Sequence, residues 1–228
     1  MNLLAIDTTD RQGGIALTRD GQILEAVSLE APDGFGEVIY SEIETLLSRN
    51  NVALREIDGY AAAAGPGSFT GVRVGLSVVK ALAEVHGKEV APISSLQALA
   101  YSGTGPYRVA VINARRQEVY VGVYDEHLNP LVEEIVTEWE SFYTSLESRP
   151  VTFVSLDQDL FERDGTAREK SDFTDNREVV IIGKRPLAIA VAHVAKTLFE
   201  TGQSVVPEAV DANYIRRPEA ELKWKDPD

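Results

Sequence analysis

The sequence predicts an α/β protein in two successive units, each a mixed sheet with helices packed on it. Three observations carry this prediction. Apolar runs in the first hundred residues read as β-β-β-α-β-α-β-α, and a similar hairpin-led pattern restarts at residue 109. The length of 228 residues, with 44% hydrophobic and 25% charged side chains, suits one large domain or two of about 100 residues. We place an N-terminal lobe at 1–104 and a C-terminal lobe at 105–228.

Residues 3–6 form an apolar strand, and 14–18 a second one reached through the polar turn 7–13. Asp20-Gly21 suits a tight hairpin turn and leads into a third strand over 22–29. The period then changes: Phe35, Ile39, Ile43, Leu46 and Leu47 recur at three- and four-residue steps, which predicts an amphipathic helix over 35–49. Residues 58–64 are alanine-rich, but Gly59 and Gly65 leave room only for a short buried strand. Gly65-Pro66-Gly67 ends it, and Ser68 or Thr70 can cap the helix that reads over 72–85. A strand over 90–93 and a short helix from Ser94 or Ser95 to about residue 101 complete the first unit.

In the second unit, 109–112 is a strand ending at Asn113, 114–118 a polar turn, 119–124 an alternating strand and 131–136 a third. A helix over 139–146 and a strand over 151–156 come next. Residues 157–178 are charged with weak periodicity, which predicts a loop or excursion. A strand resumes over 179–182, and Pro186 opens a helix with the stripe Leu187, Val191, Val194, Ala195 and Leu198, stopped by Gly202. The tail 213–228, with Pro218 and Pro227, is expected on the surface.

Lys plus Arg total 22 against 36 Asp plus Glu, a formal net charge of −14, which argues against holding nucleic acid unaided. The absence of Cys excludes disulfides, thiolate metal sites and thiol nucleophiles. The N-terminus lacks a basic lead and a long apolar stretch, and no run approaches the ~18 apolar residues of a membrane span, so a soluble cytoplasmic protein without a membrane partner is expected. His86, His127 and His193 have no ligand-spaced neighbours, so no metal site is expected, and no Ser lies in G-x-S-x-G.

Asp7 and Thr8 at the end of the first strand, with Ser68 and Thr70 at the glycine-rich turn, are the candidates for an anion or nucleotide contact. The alternative is that Asp7, Thr8 and Thr9 satisfy their own turn's backbone, as such residues commonly do. Gly67, Gly71 and Gly75 fall four residues apart on one face. Glycine inside a helix costs about 1 kcal/mol relative to alanine, so close approach by another element is the natural reason for them. Along the same helix Val72, Leu76, Val79 and Ala83 make one stripe and Val74, Val78, Leu82 and Val85 another, with Arg73, Ser77, Lys80 and Glu84 as thin polar seams. One side can pack on its own sheet. The other needs the first helix or another chain, unless the whole helix is buried within its own domain.

Leu4-Ala5-Ile6-Asp7-Thr8-Thr9, Gly65-Pro66-Gly67-Ser68-Phe69-Thr70-Gly71-Val72-Arg73-Val74-Gly75, Asn113-Ala114-Arg115-Arg116-Gln117-Glu118-Val119-Tyr120 and Asn213-Tyr214-Ile215-Arg216 together resemble the TsaB (YeaZ) family. The resemblance implies an actin-like, Hsp70-like and sugar-kinase-like (ASKHA) fold of two lobes. It also implies a noncatalytic role in synthesis of tRNA N6-threonylcarbamoyladenosine, binding and activating the transferase TsaD, with the ATPase TsaE in the complex and tRNA reached only indirectly. No cofactor of its own is implied; ATP or ADP and a metal ion would belong to the complex, and a homodimer is open to the chain alone. TsaD would bind through the second helix and the first, giving Ile39, Ile43, Leu46, Gly71, Val72, Gly75, Leu76, Val79 and Ala83 as interface residues. TsaD-like chains carry a His-x-x-x-His metal pair on the first helix, whereas 35–47 here contains no His, and Asn113 stands where an Asp is usual. The reading from another class is a stand-alone ASKHA-type ATPase or small-molecule kinase using Asp7 and Thr8. Arg115, Arg116, Arg216 and Arg217 are the paired basic spots, for which intramolecular pairing is the plainer use.

Overall fold

The structure, a computed structural model, describes residues 1–31, 34–146, 150–163, 166–167, 178–182 and 186–216. The chain opens with the meander β1 (Asn2–Asp7), β2 (Gln12–Arg19) and β3 (Gln22–Glu30). Asp20 and Gly21 both take positive φ at 51° and 82°, the backbone that a two-residue hairpin loop requires. A short 3-10 turn at Phe35–Glu37 leads into α1 (Ile39–Arg49), and β4 (Gly59–Ala63) then lies parallel to β1. Next come α2 (Phe69–His86), β5 (Glu89–Ile93) and α3 (Ser95–Ala100). Gly87, left-handed at φ 60°, closes α2, and the Ser94 hydroxyl caps α3 by accepting from the N–H groups of Leu96 and Gln97.

The second unit comprises β6 (Arg108–Arg115), β7 (Glu118–Tyr124), β8 (Ile135–Glu138), α4 (Trp139–Ser145), β9 (Thr152–Ser155), the small hairpin β10 (Glu162–Arg163) and β11 (Thr166–Ala167), β12 (Glu178–Ile181) and α5 (Ala188–Glu200). The two large sheets have matching orders, β3-β2-β1-β4-β5 and β8-β7-β6-β9-β12. In each, three antiparallel strands are followed by two parallel ones. The restart of the pattern at residue 109 is therefore a repeat of topology.

Burial explains the layering. Leu4, Ile6, Ile15 and Leu17 face α1 and α2 on one side of the first sheet, while Leu3, Ala5 and Ala16 face α3 and α5 on the other. The second sheet covers the opposite side of α3 through Ala110, Tyr124 and Val154, and its outer face packs Trp139 of α4 with Phe153 and Phe161. Each fully buried Leu, Ile or Val contributes about 1.5–3 kcal/mol.

Several expectations need correction. The third strand of the second unit begins at Ile135, not 131. Asp125 gathers the backbone N–H groups of His127 and Asn129 into a turn, Leu128 is left-handed at φ 65°, and Pro130 makes only an isolated bridge to Tyr124. The last helix starts at Ala188, with Pro186 two residues outside it, and although it belongs to the second half of the sequence it packs on β1, β2, β4 and β5. Val205 extends this return by bridging Val90 of β5. In the excursion 157–178, a 3-10 turn at Gln158–Phe161 and the β10–β11 hairpin are seen, while 168–177 lie outside the described residues. Asn213–Arg216 is no loose surface tail, as its contacts below show; 217–228, including Arg217, lie outside the described residues.

Candidate functional site

The motif residues converge where β1, β4 and α2 begin or end. Past β4, the Ala64 carbonyl accepts from the Asn213 N–H at 2.7 Å, and Gly65, at φ 100°, offers its carbonyl to the Ser95 N–H at 2.8 Å. Ser68 N–H donates to the Thr9 carbonyl at 2.7 Å, and the Ser68 hydroxyl accepts from Gly71 N–H at 3.3 Å, capping α2. The Thr8 hydroxyl in turn donates to the Gly71 carbonyl at 2.7 Å. The β1–β2 turn is thus seated on the first turns of α2.

This seat is why the glycines recur every four residues. A Cβ at Gly67 would lie 2.7 Å from the Thr9 carbonyl oxygen, one at Gly71 would collide outright with the Thr8 carbonyl, and one at Gly75 would lie 2.6 Å from the Thr8 hydroxyl. Close approach by another element is the role the spacing predicts.

Asp7 is 2% exposed. One carboxylate oxygen accepts from the Thr9 N–H at 3.0 Å and the Thr9 hydroxyl at 2.7 Å; the other accepts from the Leu187 N–H at 2.6 Å. Leu187 is the N-cap of α5, so the carboxylate closes the start of that helix. Burial holds the Asp7 carboxyl above the usual carboxylate range, against the lowering effect of these bonds. Both oxygens are thereby engaged by the chain itself, and Thr8 is buried as well. The pair does not fit a metal or phosphate site in this arrangement, and no group of three or more His, Cys, Asp or Glu among the described residues could hold a metal ion. Ser68 and Thr70 are exposed at the head of α2, apart from the engaged carboxylate.

The residues expected at a partner interface are placed differently from expectation. Ile39, Ile43 and Leu46 of α1, and Gly71, Val72, Gly75, Leu76, Val79 and Ala83 of α2, are all buried, the apolar ones within one core cluster of this chain. The second stripe of α2 is also largely covered: Val78 is buried, and Val74, Leu82, Val205 and Ala212 pack on the same core. A 3-10 turn at Pro207–Ala209 lies against α2, and Lys80 Nζ donates to the Val210 carbonyl at 3.0 Å. Only Val85, 77% exposed, escapes this cover. The exposed side chains of these helices include Tyr40, Ser41, Glu44 and Thr45 on α1 and Phe69, Arg73, Ser77 and Val85 on α2. Phe69, Arg73 and Ser77 stand at i, i+4 and i+8, a seam whose signal lies in the polar residues between the apolar stripes.

Residues 213–216 join the lobes. Asn213 Nδ2 donates to Glu134 at 2.7 Å and to the Gly65 carbonyl at 3.4 Å, and Glu134 also accepts from the hydroxyl of the buried Tyr124. Arg216 pairs with Glu118 and reaches the Ala114 carbonyl at 3.5 Å. Arg73 Nε donates to the Tyr214 hydroxyl at 2.9 Å while its guanidinium lies 3.8 Å from the Phe69 ring centroid.

Comparison with known proteins accords with this architecture. A family model described as TsaD, tRNA N6-adenosine threonylcarbamoyltransferase, matches residues 30–152. The tRNA threonylcarbamoyladenosine biosynthesis protein TsaB of Bacillus subtilis is 28% identical, over 98% of this chain and 98% of that one. Among solved structures, a Pseudomonas aeruginosa protein described as similar to peptidase YEAZ superposes with a TM-score of 0.79 at 24% identity, covering 94% of this chain and 99% of that one. A ROK hexokinase from Thermus thermophilus superposes with a TM-score of 0.55 at 12% identity, over 89% of this chain and 100% of that one, a likeness of fold. No helix among the described residues is long and apolar enough to cross a membrane.

Proposed function

Because the chain belongs to the TsaB (YeaZ) group within the family described as TsaD, tRNA N6-adenosine threonylcarbamoyltransferase, we propose that it is a noncatalytic subunit of tRNA N6-threonylcarbamoyladenosine synthesis that binds and activates a TsaD-type transferase. The observation that carries the reading is the state of Asp7. The carboxylate best placed for nucleotide or metal chemistry is buried and closes α5, while the neighbouring helices turn Tyr40, Phe69 and Val85 outward. Exposed aromatic and arginine side chains suit protein docking, where such residues are enriched and Tyr and Arg often supply much of the binding energy.

On this reading ATP or ADP and any metal ion belong to the complex, TsaE joins through it, and tRNA is held by its more basic members. The same face would support a homodimer when the transferase is absent. An interface of ordinary size buries about 1,600 Å² in total, a good share of which α1 and α2 could supply.

Mixing the purified chain with TsaD tests the proposal. A stable heteromeric complex by size exclusion, with a rise in threonylcarbamoyl transfer, is the expected result; no complex at micromolar concentrations overturns it. Tight ATP binding with Mg²⁺ by the chain alone, read by calorimetry, would favour the kinase or ATPase reading instead. Exposed positions such as Phe69 and Val85 are the ones to vary, because Leu76 and Val79 lie in the core and their loss would unfold the chain.

A further inference from the structure

We propose that Arg73, clamped between the Phe69 ring and the Tyr214 hydroxyl, is a pre-organised receptor for a carboxylate side chain of the docking partner. The inference rests on the partner-binding reading above and adds the chemistry of one contact.

A free arginine on a helix surface samples many rotamers, and fixing them lowers the gain from any ion pair. Here that ordering is already in place. The guanidinium carbon lies 3.8 Å from the Phe69 ring centroid, and Nε donates to Tyr214 at 2.9 Å. The Phe69 and Tyr214 rings are 5.8 Å apart and inclined by 31°. Tyr214 is held from behind, since its neighbour Asn213 bonds Ala64, Gly65 and Glu134.

With Nε engaged, the two terminal nitrogens remain as a planar fork, and no carboxylate among the described residues pairs with them. By contrast Arg49 pairs with Glu25, Arg216 with Glu118 and Lys196 with Glu200. A planar fork matches a carboxylate bidentately. A single cation in an acidic field gives little hold on an RNA backbone, whose binding needs several phosphates neutralised together. One acidic side chain on a docked protein is therefore the favoured occupant, rather than a nucleic acid.

Titration of the chain with TsaD by calorimetry, without nucleotide, provides the test. Arg73→Ala should weaken binding about tenfold and Arg73→Glu about fiftyfold, since the first removes a charge-assisted hydrogen bond and the second sets two like charges against each other. Arg73→Lys, which keeps the charge but loses the fork, should fall between wild type and Arg73→Ala. Tyr214→Phe, which removes only the clamp's acceptor, should weaken binding about threefold with the melting temperature of the isolated chain unchanged. Wild-type affinity should also fall more steeply with salt than that of Arg73→Ala. A wild-type complex of unchanged affinity in Arg73→Ala and Arg73→Glu overturns this inference while leaving the partner role standing. Loss of nucleotide or tRNA binding by an otherwise intact complex would assign Arg73 to a phosphate and overturn it too. Failure of the wild-type chain to bind TsaD removes both.

Discussion

The turn between β1 and β2 and the turn between β6 and β7 occupy matching places in the two sheets, yet they are finished in opposite ways. In the first, Asp7, Thr8 and Thr9 are 2%, 1% and 7% exposed, wedged between the head of α2 and the head of α5. In the second, Arg115, Arg116 and Gln117 are all exposed and all left-handed, with φ of 64°, 56° and 67°. Arg216 holds that turn from outside through Glu118 and the Ala114 carbonyl. Polar residues at a strand end are therefore ambiguous by themselves. The cover over them decides whether they can meet a ligand: in the first lobe two helix starts supply it, whereas in the second the Arg216 side chain and the Trp139 N–H brace a turn whose side chains stay exposed.

Alanine at Gly71 puts the sharpest stress on the first turn. Its Cβ would collide with the Thr8 backbone carbonyl, which cannot swing aside as a side chain could. We expect Gly71→Ala to cost about 3 kcal/mol or more, at or above the upper end for overpacking, measured by urea denaturation. Gly75→Ala should cost less, because it meets the Thr8 hydroxyl, which can rotate at the expense of its bond to Gly71. Equal and negligible losses would mean the turn is not seated as described.

Asp7→Ala should be the next largest, about 2–3 kcal/mol, because it leaves the buried N–H groups of Leu187 and Thr9 without their acceptor. Asp7→Asn keeps one oxygen and should cost less at neutral pH. The sign of its pH dependence comes from the raised Asp7 carboxyl. The folded chain holds that proton more tightly than the unfolded one, so the associated stability is full below about pH 3.9 and is lost as pH rises through the folded value. The stability gap between wild type and Asp7→Asn should therefore widen as pH falls. A gap that narrows in acid would show that the hydrogen bonds, not burial, dominate the carboxylate.

The second turn should respond with the opposite sign. Gln117→Gly places the one residue without a left-handed penalty at φ 67°, and should stabilise by about 0.5–1 kcal/mol. A melting temperature raised by a few degrees would confirm the turn's strain; a fall would show that the Gln117 side chain itself supports the hairpin.

The same contrast marks how far the sequence can be read. The meander, the crossover strands and all five helices come from period and turn chemistry, and the four-residue glycine spacing announces a close approach that the Thr8 and Thr9 carbonyls supply. A stripe such as Val72, Leu76 and Val79 says that a side chain is buried, not what buries it, and here the chain's own core does. The cover on the second stripe is hidden for the same reason, since Val205, Val210 and Ala212 sit more than a hundred residues from α2 in sequence. The Arg73–Tyr214 bond, 141 residues apart, leaves no local pattern at all. Only Asn213-Tyr214-Ile215-Arg216, singled out by family resemblance, points to that region.

The smallest effect separates the buried tyrosines of the two lobes. Tyr60 and Tyr124 are 0% and 1% exposed, but the Tyr124 hydroxyl donates to Glu134, whereas the Tyr60 hydroxyl has no hydrogen-bond partner among the described residues. Tyr60→Phe removes a buried hydroxyl that gains nothing from the fold, so its effect should lie within about 0.5 kcal/mol of zero or be slightly stabilising. Tyr124→Phe, which strips Glu134 of a donor, should cost about 1 kcal/mol or more. Burial pushes the Tyr60 hydroxyl up to about 12 from its ordinary value near 10. The unfolded chain thus releases that proton first, and wild-type stability should fall as pH rises from about 10 through 12. Tyr60→Phe should flatten part of that alkaline fall without changing stability at pH 7. The remainder should come from Tyr124, whose hydroxyl is raised by burial and by the Glu134 carboxylate. If Tyr60→Phe destabilises as much as Tyr124→Phe, the hydroxyl of Tyr60 has a partner after all, and the two lobes are more alike in their cores than in their turns.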